Sequence, residues 1–136
     1  STVSLQSNTV SFTGREKVKG FTMYKSGGIN VLVLPDSGGW FAIDNIDLTG
    51  LRSVNLNFGW KNILRDGFSF EVRLDAPDGK LLGKGSMPAP QKEQNSGVAH
   101  IPLEAMNDGK FHAVYFMNTS VNVAIAGVIS LQFNAK

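Results

Sequence analysis

The sequence contains no cysteine, and this absence excludes several kinds of chemistry. A chain without thiols has no disulfides, no thiolate nucleophile and no thiolate zinc site. No apolar run approaches the roughly 20 residues that a membrane helix needs, so no membrane partner is predicted. With 136 residues, of which 42% are hydrophobic, the chain fits a single domain, residues 1–136, built on one core.

Charge of one sign is also scarce, because thirteen basic residues oppose eleven acidic ones for a formal net charge of +2. The one basic cluster, residues 15–19, is interrupted by Glu16. Such a pattern favours a solvated loop over a phosphate-binding stripe, so no nucleic-acid partner is predicted. From the polar start at Ser1 we predict no signal peptide, and we interpret the chain as a module excised from a larger protein.

Catalytic signatures are missing as well. The sequence has no GxSxG elbow, P-loop, HExxH or GxGxxG motif. The two histidines, His100 and His112, lie in separate predicted strands, where each is expected to face solvent or pack neutrally. We therefore predict no shared metal site or catalytic role for them, and no enzyme activity for the chain.

Carboxylates are the remaining candidates for catalysis or cation binding. Asp44 and Asp47 lie close together, and Asp75 and Asp78 flank a turn. A carboxylate pair can hydrolyse glycosides, but Asp beside Gly and Pro is typical of turns in which the side chain bonds its own backbone. No EF-hand spacing occurs, and a structural calcium ion held by distant residues stays open.

The sequence does contain fifteen glycines and five prolines, and many of them separate short apolar runs. This pattern is typical of an all-β sandwich. The clearest element is residues 68–87, FSFEVRLDAPDGKLLGKGSM, in which Phe68, Phe70 and Val72 alternate with polar residues. The APDG sequence at residues 76–79 consists of residue types that tight turns favour. The segment therefore predicts an antiparallel hairpin.

Other strands are predicted from similar alternation. Residues 14–28 are expected to be a long loop with some strand, residues 87–97 a polar loop, and residues 104–109 a single helical turn. The predicted strands are Thr2 to Gln6, Thr9 to Phe12, Ile29 to Leu34, Trp40 to Asp44, Arg52 to Trp60, Val98 to Leu103, Lys110 to Met117, and one long or two short strands between Val121 and Phe133.

Two aromatic residues are candidates for ligand contact, and a third is predicted to be core. Trp40 follows the loop sequence PDSGG, and Tyr24 lies in a polar segment. Sugars stack their CH-rich faces on such rings while amides and carboxylates bond the hydroxyls. Trp60 shares the period of Val54, Leu56 and Phe58 and is predicted to be core. For Trp40 and Tyr24, core packing and ligand contact both stay open.

Three segments together resemble the family 6-type carbohydrate-binding modules and their family 35-type relatives. They are GGWFAIDNIDLTGLRSVNLNFGW from Gly38, FSFEVRLDAPDGKLLGKGSM from Phe68, and GVAHIPLEAMNDGKFHAVYFMN from Gly97. The version here looks most like modules attached to bacterial secreted sugar dehydrogenase, cytochrome c and related multidomain proteins. The resemblance implies a jelly-roll β-sandwich of two antiparallel sheets, no catalysis, and a glycan bound in a loop cleft at one end.

The resemblance also implies roles for particular residues. Trp40, Phe41 and Tyr24 become candidates for stacking on a sugar, and Asn118 and Asn122 become candidates for hydrogen bonding to it. The implied partners are a polysaccharide or oligosaccharide and parent enzyme domains in cis. The implied location is outside a bacterial cell. The predicted function is noncatalytic targeting of a larger secreted protein to a polysaccharide.

Two departures from the family pattern bear on this prediction. Many members hold a structural calcium ion with acids in the first and last strands, where this chain has Gln6 and Ser7, and Ile129 and Ser130. The loop at residues 91–97, where relatives carry a Trp that faces the sugar, has no aromatic residue. The alternatives are a structural or protein-docking module that has lost the sugar cleft, and a small glycan-active enzyme.

Overall fold

The computed structural model describes residues 8–135. This part of the chain folds into eleven strands, and it contains no helix that is long and apolar enough to cross a membrane. The strands are β1 (Asn8–Ser11), β2 (Lys17–Lys19), β3 (Thr22–Ser26), β4 (Ile29–Val33), β5 (Trp40–Asp47), β6 (Ser53–Trp60), β7 (Phe68–Leu74), β8 (Leu81–Met87), β9 (Ser96–Pro102), β10 (Phe111–Asn118) and β11 (Ala126–Asn134).

The strands form two antiparallel layers that face each other, which confirms the predicted jelly-roll β-sandwich. The first layer has the order β2-β5-β10-β7-β8, and the second has the order β9-β6-β11-β4-β3, with β1 also paired to β11. The layers are joined where Ser86 of β8 pairs with His100 of β9. The hydrogen-bonded path is therefore continuous around one side of the sandwich.

Alternation along the strands builds the core between the layers. Residues Val54, Leu56 and Phe58 of β6 are buried with Trp60, as predicted, because every second side chain of a strand faces the same way. Phe58 stacks on Phe68 of β7 with ring centroids 5.3 Å apart. Aromatic pairs at this distance add packing energy beyond the area they bury.

The hairpin of β7 and β8 forms as predicted. Its turn is closed by hydrogen bonds from Leu74 N to Lys80 O at 2.9 Å and from Gly79 N to Ala76 O at 3.0 Å. A Cβ atom on Gly79 would lie 1.8 Å from Leu74 O, so the turn accepts only glycine there. Gly83 has a similar role in β8, because an added Cβ would lie 2.0 Å from Pro102 O. The carbonyls of β9 can therefore approach β8 where the layers join.

Several boundaries differ from the prediction. β5 extends to Asp47 because its far end pairs with β10. Two strands, β2 and β3, lie in the segment predicted to be mainly loop, and each is an edge strand of its layer. Residues 104–109 form no helical turn, and residues 121–125 are a loop before β11. The predicted strand from Thr2 to Gln6 lies outside the described residues.

Candidate functional site

A groove of about 520 Å³ crosses the outer face of the second layer. We call it the Tyr24 groove, after the one aromatic ring that stands exposed beside it. Tyr24 lies on β3, and 55% of its surface is exposed. The residues that line the groove are Tyr24, Ser26, Ile29, Val31, Val33, Gly59, Trp60, Lys61, Asn62, Asn95, Ile125, Ala126, Gly127 and Ile129.

Two glycines shape the floor of the groove. A Cβ atom on Gly59 of β6 would lie 2.6 Å from Cδ1 of Ile129, and one on Gly127 of β11 would lie 2.3 Å from Cγ1 of Val31. The aliphatic side chains therefore occupy the space above the two glycines. The floor of the groove is therefore apolar, and larger residues at these two positions would make the groove shallower.

The rim of the groove is polar. Asn95 fixes one loop to the end of β6, because its Nδ2 donates to Trp60 O at 3.1 Å and to Lys61 O at 3.3 Å. Lys61, Asn62 and Asn95 also line a second concavity of about 260 Å³, which lies between residues 61–64 and 90–95. The apolar groove thus opens into a polar cleft. An apolar surface with a few convergent polar groups is the usual composition of a small-molecule site.

The side chain of Trp60 has one polar atom in the core without a partner among residues 8–135. The side chain is buried in the core, as predicted. Its Nε1 is buried and has no hydrogen-bond partner among the described residues. An unsatisfied buried N–H costs about 1–3 kcal/mol. Because Trp60 faces the core, this atom belongs to the interior of the sandwich and not to the surface of the groove.

Trp40 lies on the outer face of the other layer. Its ring meets the edge of Tyr115 at a centroid distance of 5.0 Å, and Lys17 Nζ lies 6.0 Å from the Tyr115 ring. On the same face Arg73 donates to Glu71 Oε1, with Nη2 at 2.9 Å. We call this surface the Trp40 face. Trp40 and Tyr24 are therefore on opposite sides of the sandwich, and one sugar ring cannot lie between them.

Phe41 is a core residue, which corrects its assignment as a stacking platform. Its side chain is fully buried and stacks on Phe116 with ring centroids 4.8 Å apart. The reason is the alternation of β5. Because Trp40 points out of the first layer, its neighbour Phe41 points into the core.

Asn118, the last residue of β10, and Asn122, in the loop before β11, are buried rather than exposed. Asn118 Nδ2 donates to Gly38 O at 2.9 Å, and its Oδ1 accepts from Ser120 N at 3.1 Å. Asn122 Oδ1 accepts from Ala124 N at 3.0 Å. Its Nδ2 donates to the backbone carbonyls of residues 66 and 67 at 3.3 Å. The structure therefore assigns both amides a positioning role in the loops, in place of the predicted contact with sugar.

His112 forms an ion-pair cluster at the opposite end of the sandwich, which corrects the prediction of a solvent-facing or neutral ring. Its Nδ1 lies 3.0 Å from Asp75 Oδ2, and its Nε2 lies 2.8 Å from Asp108 Oδ2. Hydrogen bonds to Asp75 and then to Asp108 raise the pKa of His112 above 6.5. The backbone N–H of Lys110, followed by His112, lowers the pKa of Asp108 below 3.8. The cluster ties the β7–β8 turn to the loop before β10.

We expect His112→Phe to lower the melting temperature most in mildly acidic solution. Because the pKa of His112 is raised in the folded state, protonation of its ring stabilises the folded protein. This stabilisation is fully present below 6.5 and is lost as pH rises through the folded pKa. The ionised carboxylate of Asp108 also stabilises the folded protein. This stabilisation is present above 3.8 and is lost as pH falls through the lowered pKa of Asp108. Thermal unfolding of both proteins at about pH 5 and about pH 9 checks this. An equal difference in melting temperature at the two pH values would contradict it.

The described residues do not fit the calcium site that the resemblance implies. Ile129 lines the groove and Ser130 accepts a hydrogen bond from Asn57, so neither position supplies a carboxylate. Across residues 8–135 no cluster of three or more His, Asp or Glu side chains could hold a metal ion. Gln6 and Ser7 lie outside the described residues.

Comparison with known proteins identifies the fold of the chain. No family model matches the sequence, and no curated protein matches it. Solved structures do match. A family 6 carbohydrate-binding module from Clostridium cellulolyticum, in complex with xylose, is 15% identical with a TM-score of 0.75, over 93% of this chain and 96% of that one. The module CsCBM6-3 from Clostridium stercorarium, in complex with cellobiose, is 14% identical with a TM-score of 0.70, over 93% and 92%.

A third match is part of an enzyme. An arabinoxylan arabinofuranohydrolase from Bacillus subtilis, in complex with cellotetraose, is 24% identical with a TM-score of 0.69. The match covers 95% of this chain but 27% of that enzyme. A family 35 module from Clostridium thermocellum also matches, at 9% identity and a TM-score of 0.61. The chain has the β-sandwich fold of the family 6 and family 35 carbohydrate-binding modules.

Proposed function

We propose that this chain is a noncatalytic carbohydrate-binding module that holds a glycan in the Tyr24 groove. The observation that carries the proposal is the exposed Tyr24 ring beside an apolar floor with an amide rim. A sugar would stack its CH-rich face on the ring while Asn62 and Asn95 bond its hydroxyls. The sugars in the matching family 6 structures support this proposal.

Binding without catalysis agrees with the placement of the carboxylates. Glu93 is the single acid among the residues that line the groove and the polar cleft. Glycoside hydrolysis ordinarily needs two carboxylates across the scissile bond. Asp75 and Asp108 are both engaged with His112 at the other end of the sandwich.

The biological role of such a module would be to target a larger protein to a polysaccharide. We infer that the module works outside a bacterial cell, joined in cis to the enzyme domains of a larger secreted protein. A linked binding module raises the effective concentration of its partner domains at the polysaccharide surface. This role needs only a reversible contact, which an open groove provides.

Calorimetric titration with xylo-, cello- and β-1,3-gluco-oligosaccharides tests the proposal. These probes correspond to sugars named in the matching structures. We expect saturable binding to at least one series, and retardation of the protein in gels that contain the matching polysaccharide. No release of reducing sugar should accompany it. Absence of binding to every series would contradict the proposal.

A specific observation favours protein docking as the second candidate. Four aliphatic side chains in the loops at residues 61–67 and 119–125 are 76–79% exposed, namely Ile63, Val121, Val123 and Ile125. Three of them alternate in one loop, and exposed apolar patches mark interaction sites on many proteins. A Val121→Ser/Val123→Ser variant separates the candidates, because it should leave glycan affinity unchanged if the groove is the site. Loss of glycan binding in this variant would contradict the groove assignment.

A further inference from the structure

The outer face of the second layer continues beyond the Tyr24 groove. Gly59 of β6 forms part of the groove floor, and Asn57 and Asn55 follow on the same face, because alternate residues of a strand point the same way. Asn57 pairs in register with Ser130 of β11, and Asn55 pairs with His100 of β9. We call Asn55, Asn57, His100 and Ser130 the amide track. It begins where the groove floor ends.

The side chains of the amide track are held in place by one another. Asn57 Nδ2 donates to Ser130 Oγ at 2.9 Å, and His100 Nδ1 donates to Asn55 Oδ1 at 2.8 Å. Each pair still presents hydrogen-bonding groups, because an amide has two donors and two acceptor positions. The remaining groups are Asn55 Nδ2, Asn57 Oδ1 and His100 Nε2. Side chains that are already oriented lose less entropy when a ligand binds.

The track is free of fixed charge, and Lys61 of the groove follows β6 at the end away from the track. The strands β1, β6, β9 and β11 contain no Asp, Glu, Lys or Arg. The Trp40 face, in contrast, carries Lys17, Glu71 and Arg73. A surface of amides, hydroxyls and an imidazole matches the hydroxyl groups of a neutral glycan, and it lacks the cations that phosphate or carboxylate ligands need.

We propose that the amide track extends the Tyr24 groove into one binding site for a long, neutral polysaccharide chain. The inference rests on the proposed function of the groove and adds the class of ligand. From Gly59 to Asn55 the strand advances about 13 Å. A glycan anchored on Tyr24 would therefore cover the track with its next sugar units. The module would select internal stretches of an extended chain over isolated mono- or disaccharides.

Titration with short and long oligosaccharides of one series tests this inference. The wild-type protein should bind xylohexaose or cellohexaose about 10-fold more tightly than the corresponding disaccharide. An Asn55→Ala/Asn57→Ala variant should lose about 10-fold in hexasaccharide affinity and keep its disaccharide affinity, since each hydrogen bond contributes about 0.5–1.5 kcal/mol, or 2- to 13-fold. Equal hexasaccharide affinity in the variant and the wild type would overturn the inference.

Two further variants keep the test decisive. His100→Ala removes an exposed side chain from the same track and should weaken hexasaccharide binding about 3-fold, even if the double variant does not fold. Lys84→Ala, on the outer face of the other layer, should change neither affinity. If the wild-type protein binds both ligands equally well, the groove acts alone and the track has no role. If it binds no glycan, the proposed function itself fails.

Discussion

Phe41→Ala should lower the free energy of unfolding by about 3–5 kcal/mol, the range for truncation of a buried phenylalanine. The side chain is fully buried, and the cavity would open at the centre of the sandwich. The loss would include several aromatic contacts, because the Phe41 ring contacts those of Phe12, Phe21, Phe70 and Phe116. Urea unfolding, followed by tryptophan fluorescence, measures the change.

Phe111→Ala is the matched control for this prediction. Phe111 begins β10 and is 71% exposed, so the same truncation should change stability by no more than about 0.5 kcal/mol. If Phe41 contacted sugar, its truncation would weaken glycan binding and leave stability nearly unchanged. That result would contradict the core assignment and return Phe41 to the binding site.

The case of Phe41 shows what alternation can and cannot predict. The pattern in β6 and β7 predicted the buried faces correctly, because polar residues separate the apolar ones. In β5 the residues Trp40, Phe41, Ala42 and Ile43 are all apolar. A pattern without polar positions does not say which face points inward. The register with β10 decides it, because Phe41 pairs with the buried Phe116 and so shares its face.

The two asparagines that were predicted to bind sugar show a second limit. Asn118 and Asn122 were predicted to bond sugar because amides do so in the modules that the sequence resembles. In the structure, their donors satisfy carbonyls of the loops at residues 38 and 66–67. Buried backbone acceptors need partners wherever loops pack together. Sequence alone does not reveal which loop carbonyls will be buried, so it could not distinguish this role.

The groove was not predictable as a unit. Its lining comes from four strands and three loops that are distant in sequence. Tyr24 was identified as a candidate, although in a segment expected to be mainly loop rather than in β3. The contributions of Gly59 and Gly127 depend on close approach to Ile129 and Val31, a relation that only the register of the strands creates.

Tyr24→Ala should weaken glycan binding about 30-fold or more, which corresponds to a loss of about 2 kcal/mol and is typical of a central aromatic contact. Tyr24 is the single aromatic ring exposed in the groove, and the loop at residues 91–97 offers no second ring to replace it. Tyr24→Phe keeps the stacking surface and should retain affinity to within about 3-fold, the effect of one hydrogen bond. Calorimetric titration with the glycan that binds the wild-type protein measures both variants.

Trp40→Ala is the control that decides between the two faces of the sandwich. It removes an aromatic ring of similar chemistry from the Trp40 face, on the opposite side from Tyr24. Binding in the groove predicts unchanged glycan affinity in this variant, whatever the change in stability from the lost contact with Tyr115. Loss of affinity in Trp40→Ala, with normal affinity in Tyr24→Ala, would move the site to the other layer. Because the two rings lie on opposite outer faces, one glycan chain in one site cannot depend directly on both.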